Sequence, residues 1–168
     1  MKQEKELYSK GHLVFTFLRG LNTVIEEDIR IRLKNLYGLT YPTFKILWIL
    51  SFDKKMTMSE IKEITLTNLS NTYRQLLKLS DLNIVTIGIH EDARVREISL
   101  TEKGKELVDT ILNEHSHSTN LHLFSILLKI PENDLKTYIE VSTYLSKELL
   151  GKRYTDWAIR TSDYLKEI

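Results

Sequence analysis

Between residues 68 and 78 the sequence carries a run of polar side chains that can bond to the exposed edges of nucleic-acid bases. Asn71 and Gln75 can each pair with adenine through two hydrogen bonds, and Arg74 can pair with guanine or contact a phosphate. An ordinary solvated helix face accounts for such a run equally well, so the neighbouring elements must decide. The predicted major-groove contacts are Asn68, Ser70, Asn71, Thr72, Arg74, Gln75 and Lys78.

A second set of candidates lies in the charged segment from His90 to Arg96. This segment is longer and more charged than a hairpin turn requires, so it is expected to reach another molecule. Arg94 is the candidate for insertion into a minor groove, where a narrow A·T tract concentrates negative potential. Asp92 is expected to orient Arg94, although an exposed pair worth about 0 to 1 kcal/mol fits the sequence equally well. Arg96 is a weaker candidate for a phosphate contact.

The elements that must hold these side chains follow from the spacing of apolar residues. That spacing predicts a long first helix over residues 13–36 and a mostly buried second helix that begins near Pro42. A short third helix, capped by Thr57 or Ser59, precedes a tight turn. A fourth helix follows over residues 68–82, and its inward face is predicted to consist of Leu69, Leu76, Leu79 and either Tyr73 or Thr72.

Beyond the fourth helix the apolar period changes from 3.6 to 2. Asn83 is expected to stop the helix because asparagine tolerates the left-handed conformation. The alternation that follows, over residues 85–89 and again at Ile98 and Leu100, predicts a two-stranded hairpin. Helices are predicted from Thr101 to about residue 130, from Pro131 to Leu150, and after Gly151. The predicted fold class is mainly α with a small β-hairpin wing.

Composition excludes several classes of function. The chain has no cysteine, which removes disulfides and thiol-based metal or redox sites. The N-terminus is too polar for a signal peptide and no segment approaches about 18 apolar residues, so a cytoplasmic protein without membrane contact is expected. His115, His117 and His122 lack a suitably spaced carboxylate, so no metal or other cofactor is predicted. Glycine-rich phosphate loops and nucleophile motifs are absent from the sequence, and no enzyme activity is predicted.

Two short helices, a tight turn and a hairpin with a charged tip form a winged helix-turn-helix. Within this arrangement the sequence resembles the MarR family of transcriptional regulators. The resemblance covers roughly residues 10 to 130. It rests on Met-Ser-Glu-Ile at 58–61, on the helix at 68–82, and above all on Asp-x-Arg-x-x-x-Ile-x-Leu-Thr-x-x-Gly at 92–104. Val-Phe-Thr at 14–16, Ile-Leu-Trp-Ile at 46–49 and the extra C-terminal helices are similar to the Hpr (ScoC) type, which represses protease and sporulation genes.

The resemblance implies a homodimer, joined by its first and last helices, that binds a roughly palindromic double-stranded DNA operator and acts as a repressor. Duplex geometry also requires two recognition helices about 34 Å apart. The expected regions are an N-terminal dimerisation helix (1–36), a DNA-binding region (37–104) and a C-terminal helical dimerisation region (105–168), within one compact unit. A small-molecule effector is a further expectation. Its pocket, or simply the core, would be lined by Phe15, Phe17, Phe44, Trp48, Phe124 and Tyr138.

Charge leaves one alternative open. The chain has a formal net charge of +1, and the segment from Lys62 to Glu97 contains five basic and five acidic residues. Nucleic-acid binders usually carry a basic excess. A winged-helix module that docks onto a protein partner is therefore the second hypothesis.

Overall fold

The computed structural model describes residues 2–89, 95–116 and 122–166. These residues form eight helices and one antiparallel sheet with the strand order β1-β3-β2. The elements in chain order are α1 (Lys2–Tyr37), α2 (Tyr41–Phe52), β1 (Met56–Thr57), α3 (Met58–Thr65), α4 (Leu69–Asp81), β2 (Val85–Ile89), β3 (Arg96–Leu100), α5 (Glu102–Ser116), α6 (His122–Leu127), α7 (Glu132–Leu150) and α8 (Lys152–Tyr164). The predicted fold class is confirmed, with β1 as an addition.

The first helix is longer than predicted and is mostly uncovered within the subunit. α1 enters the buried core only near its C-terminal end, at Leu33, whereas the large apolar side chains of its first two-thirds are exposed. α2 is the central core helix. It begins with a capping box in which the side chains of Thr40 and Thr43 bond to each other's backbone N–H groups, and Pro42 occupies its first turn.

The helix-turn-helix is formed by α3 and α4. Thr57 caps α3 through a capping box with Glu60, and Leu66 ends the helix in the left-handed region with φ 55°. Asn68 then caps α4 by accepting a hydrogen bond from the backbone N–H of Asn71 at 2.8 Å. Asn83 follows α4 with φ 56°, which confirms the predicted left-handed stop.

The junction between the hairpin and α5 explains the Leu-Thr-x-x-Gly part of the sequence motif. Thr101 donates its hydroxyl to the carbonyl oxygens of Asn83 and Ile84 and accepts the backbone N–H of Gly104 at 3.0 Å. A Cβ atom on Gly104 would lie 2.2 Å from the carbonyl oxygen of Ile84. Only glycine fits there, so this residue fixes how closely α5 approaches the base of the wing.

The C-terminal helices form a hairpin of their own. The predicted helix from Thr101 to residue 130 is present as α5 and α6, and residues 117–121 between them lie outside the described ranges. α7 packs along α8, and α8 in turn packs against α3. Among the described helices, none combines the length and the apolar character needed to span a membrane.

Side chains of α8 hold it against the helix-turn-helix through charge and aromatic contacts. Arg160 donates two hydrogen bonds to the carboxylate of Asp53, at 2.9 and 3.0 Å. Arg153 forms ion pairs with Glu60 and Glu63 of α3. Phe52, at the end of α2, makes edge-to-face contacts with Trp157 and Tyr164. Because these contacts draw on both α2 and α3, the C-terminal hairpin is anchored to the helix-turn-helix itself.

Candidate nucleic-acid interface

The outer surface of α4 carries polar side chains along one line. Side chains four residues apart lie above one another on a helix, and Ser70, Arg74 and Lys78 are all exposed at this spacing. Neither Arg74 nor Lys78 forms an ion pair with another described residue. Three of the predicted contact residues therefore lie together on the surface, two of them with a positive charge free to meet an anionic partner.

A second line of side chains beside the first is apolar. Leu69, Tyr73 and Leu77 follow one another at the same spacing of four residues, with 50%, 51% and 41% of their surfaces exposed. The prediction that Leu69 belongs to the inward face was wrong, and of the two alternatives Tyr73 and Thr72 it is Thr72 that lies there. The inward face consists of Thr72, Leu76 and Leu79, each at most 1% exposed.

Thr72 is a correction to the predicted set of groove contacts. Its hydroxyl lies 2.9 Å from that of Thr67, which in turn lies 2.7 Å from that of Thr65, and it also bonds to the backbone carbonyl of Asn68 at 3.2 Å. These hydrogen bonds satisfy the hydroxyl group of Thr72 inside the subunit. With 1% of its surface exposed, Thr72 cannot reach a base or a phosphate.

Asn71 and Gln75 lie on the flank of α4 that faces α1 and α2. Both line a cavity of about 190 Å³ whose wall also includes Glu26, Tyr41 and Lys45. The side-chain oxygen of Gln75 is buried and has no hydrogen-bond partner among the described residues. Asn71 and Gln75 were predicted as major-groove contacts together with Arg74. Both are half-buried beside this cavity rather than on the exposed line of Ser70, Arg74 and Lys78.

The cavity is bounded by a lysine that is tied to the end of α3. Lys45 donates a hydrogen bond to the carbonyl oxygen of Thr65 at 2.9 Å, and its ammonium group lies 5.6 Å from the centre of the Tyr41 ring. Burial lowers the pKa of Lys45 and raises the pKa of Tyr41. Lys45 thus stabilises the end of α3 next to the turn rather than serving as an exposed phosphate contact.

The hairpin stands beside α4. Val85 pairs with Leu100 at its base and Ile89 pairs with Arg96 at the last described step. Arg96 is exposed and forms no ion pair with any residue in the described ranges. Asp92 and Arg94, the predicted wing contacts, lie outside the described residues.

Solved structures with the same arrangement of elements are known. A MarR family transcriptional regulator from Streptomyces coelicolor in complex with DNA is similar with a TM-score of 0.72 at 16% identity, over 84% of this chain and 88% of that chain. AbsC, a MarR family transcriptional regulator from the same organism, has a TM-score of 0.72 at 22% identity, over 84% and 95% of the two chains. This chain has the MarR winged-helix fold.

A third similar structure is FabT from Streptococcus pneumoniae in complex with DNA, with a TM-score of 0.66 at 15% identity over 82% of this chain and 96% of that chain. The sequence matches no protein-family model and no curated protein sequence. At these identities the similarity establishes the MarR winged-helix fold, and the residues of the site must carry the inference about function.

The structure also bears on the predictions made for the histidines and for the aromatic residues. In the described parts of the chain, no three His, Asp or Glu residues are grouped so that they could hold a metal ion. His122 is exposed, and its backbone N–H donates to Asp28 at 3.2 Å, whereas the His115 side chain and His117 lie outside the described residues. Of the six aromatic residues expected to line a pocket or the core, none lines either described cavity. Phe44 packs against the core, and Phe15, Phe17, Phe124 and Tyr138 are exposed.

Sequence reasoning missed the apolar line on α4. Helical spacing alone leaves Tyr73 and Thr72 as alternatives for the inward face, and hydropathy does not decide between them. The available signal was the Thr-x-Thr pair at residues 65 and 67, whose hydroxyls can satisfy a third threonine one turn into α4. The outer surface of α4 is therefore more apolar than predicted.

Proposed function

We propose that the chain is a sequence-specific double-stranded DNA-binding transcriptional regulator. The observation that carries this proposal is the second helix of a winged helix-turn-helix with Ser70, Arg74 and Lys78 on its outer surface and Arg96 on the adjacent hairpin. An α-helix fits the major groove, and exposed cations on either side of it can bond to phosphates. Two of the similar solved structures are complexes with DNA, which supports the same use of the fold here.

We propose further that the protein acts as a homodimer. The exposed apolar side chains are concentrated on α1 and α7, including Phe15, Phe17, Leu21, Tyr138 and Tyr144. A single subunit leaves these side chains in water, and large exposed apolar surfaces mark sites of association. A two-fold axis through these helices would present two copies of α4 to one face of a duplex.

The finer parts of the proposal concern the type of regulator. The motifs at 14–16 and 46–49 and the added α7–α8 hairpin support the Hpr (ScoC) type, and a small protein bound to an operator most simply represses by blocking polymerase. We also propose the cavity beside Gln75 as the site of a small-molecule effector. It joins α1, α2 and α4, so a ligand there could change the angle of α4. A cytoplasmic location follows from this function.

Selection from random duplexes tests the proposal. The full chain should enrich a roughly palindromic sequence, and its affinity for that duplex should fall steeply as salt rises because bound phosphates release counterions. Enrichment of no sequence would overturn the proposal. The equal numbers of acidic and basic residues from Lys62 to Glu97 favour the alternative, a module that docks onto a protein, which predicts no duplex affinity at any salt concentration.

A further inference from the structure

We infer that Tyr73 sets part of the base preference by packing its ring against the 5-methyl group of a thymine in the major groove. The inference rests on the proposed DNA-binding function and assigns a specificity role to a side chain on the apolar line of α4. It differs from the expected contacts at Asn71 and Gln75, which are turned toward the cavity.

The position of Tyr73 on α4 supports this role. Tyr73 is the fifth residue of the helix, immediately before Arg74 and three residues after Ser70. The N-terminal turns of a recognition helix are the part that approaches the base edges. A side chain next to Ser70 and Arg74 on these turns is therefore close to the groove when Arg74 contacts a base.

The surroundings of Tyr73 leave its ring available. About half of its surface is exposed, at 51%, and it makes no aromatic contact with another described residue. Leu69 lies one turn earlier on the same line and is 50% exposed. Leu69 and Tyr73 are thus both exposed beside the cations Arg74 and Lys78. This combination fits a binding partner that carries negative charge and also presents an apolar group.

Thymine supplies the apolar group that this surface needs. In the major groove adenine, guanine and cytosine present hydrogen-bonding groups, whereas thymine adds a methyl group that side chains contact by apolar packing. Arg74 and Lys78 provide the complementary charge for the adjacent phosphates.

Replacement of thymine by deoxyuridine provides a direct test, because it removes only the methyl group. The probe is the duplex enriched by the full-length parent protein, with its thymines replaced one symmetry-related pair at a time. At one pair the parent should bind about fourfold more weakly per half-site, or about fifteenfold for both, which corresponds to about 0.8 kcal/mol per buried methyl. Tyr73→Ala should bind the thymine and deoxyuridine duplexes equally, whereas Tyr73→Phe should retain the difference.

Lys78→Ala is the matched control on the same helix. It should weaken binding to both duplexes by the same factor and preserve the preference for thymine. Circular dichroism should show all three variants folded, since both positions are exposed. A selected duplex without any penalty for deoxyuridine, or an undiminished penalty in Tyr73→Ala, overturns the inference and leaves DNA binding intact. Failure of the parent to enrich any duplex overturns the proposed function and this inference together.

Discussion

The charge of Arg74 should contribute a fixed part of the salt dependence of DNA binding. Arg74 is exposed on α4 and pairs with no described carboxylate, so its charge is available to a phosphate in each half of the operator. Each neutralised phosphate adds about 0.9 to the magnitude of the negative slope of log K against log salt. Because a dimer carries two copies, Arg74→Ala should reduce the magnitude of this slope by about 1.8.

The same relation gives the change in affinity. A slope difference of about 1.8 corresponds to about 60-fold weaker binding at 0.1 M salt than the parent, decreasing toward no difference near 1 M. Fluorescence anisotropy of a labelled selected duplex, titrated at several sodium chloride concentrations, measures both quantities. With Lys78 and Arg96, each subunit contributes three contacts, so six contacts per dimer should give a slope with a magnitude of about 5.4 before any contribution from Arg94.

Two controls separate charge from shape. Arg74→Lys should keep the slope, because the charge is retained, while losing any two-bond contact with guanine. Lys129→Ala, at an exposed position in the turn after α6, should leave the slope unchanged. If Arg74→Ala has the slope of the parent, or if Lys129→Ala reduces the slope equally, Arg74 does not contact a phosphate.

Further predictions concern stability. Gly104→Ala should lower the free energy of unfolding by about 1 to 3 kcal/mol, since the new methyl would overlap the carbonyl of Ile84. Gly11→Ala, where nothing lies within 4 Å, should be neutral or stabilising by up to about 1 kcal/mol, and equal effects in urea unfolding would contradict this account. Burial alone would raise the pKa of Glu60, but its hydrogen bonds with Thr57 and Arg153 lower it. The stabilisation from Glu60 should be complete above about pH 4.3, the ordinary glutamate value, and be lost as pH falls through the lower folded pKa. Glu60→Gln should lose less unfolding free energy on acidification than the parent, and identical pH profiles would refute this.

The sequence contains enough information to predict the order of elements but not the orientation of α4. The cap at Thr57, one of two candidates with Ser59, and the stop at Asn83 are local hydrogen-bonding features, so they can be recognised from residue type. The cap at Asn68 was not predicted, and the side chain of Asn68 was expected to contact the groove instead. Which face of α4 turns inward depends on Thr72, whose hydroxyl is satisfied inside the subunit by contact with that of Thr67. This is a tertiary effect that the hydropathy of single residues does not reveal. β1 was also missed, because two residues are too few to show an alternating pattern.

The residues of the candidate site could likewise be predicted only in part from the sequence. Ser70, Arg74, Lys78 and Arg96 are exposed as expected, since charged side chains avoid burial wherever the backbone allows it. Gln75 lies against a cavity formed partly by α1, which is some fifty residues earlier in the sequence and gives no local signal. The assignments of Asp92 and Arg94 stay predictions, as does the role of the wing tip.

Because α8 is bound to the helix-turn-helix, a movement of the C-terminal hairpin is transmitted to it. In the proposed dimer, α7 would lie at the contact between subunits, and Arg153 and Arg160 of α8 form ion pairs with α3 and with the end of α2. A small rotation of one subunit against the other would then move the helix-turn-helix directly, without bending α5. The separation that the protein prefers between operator half-sites should therefore respond to substitutions in α7, at positions that never approach DNA.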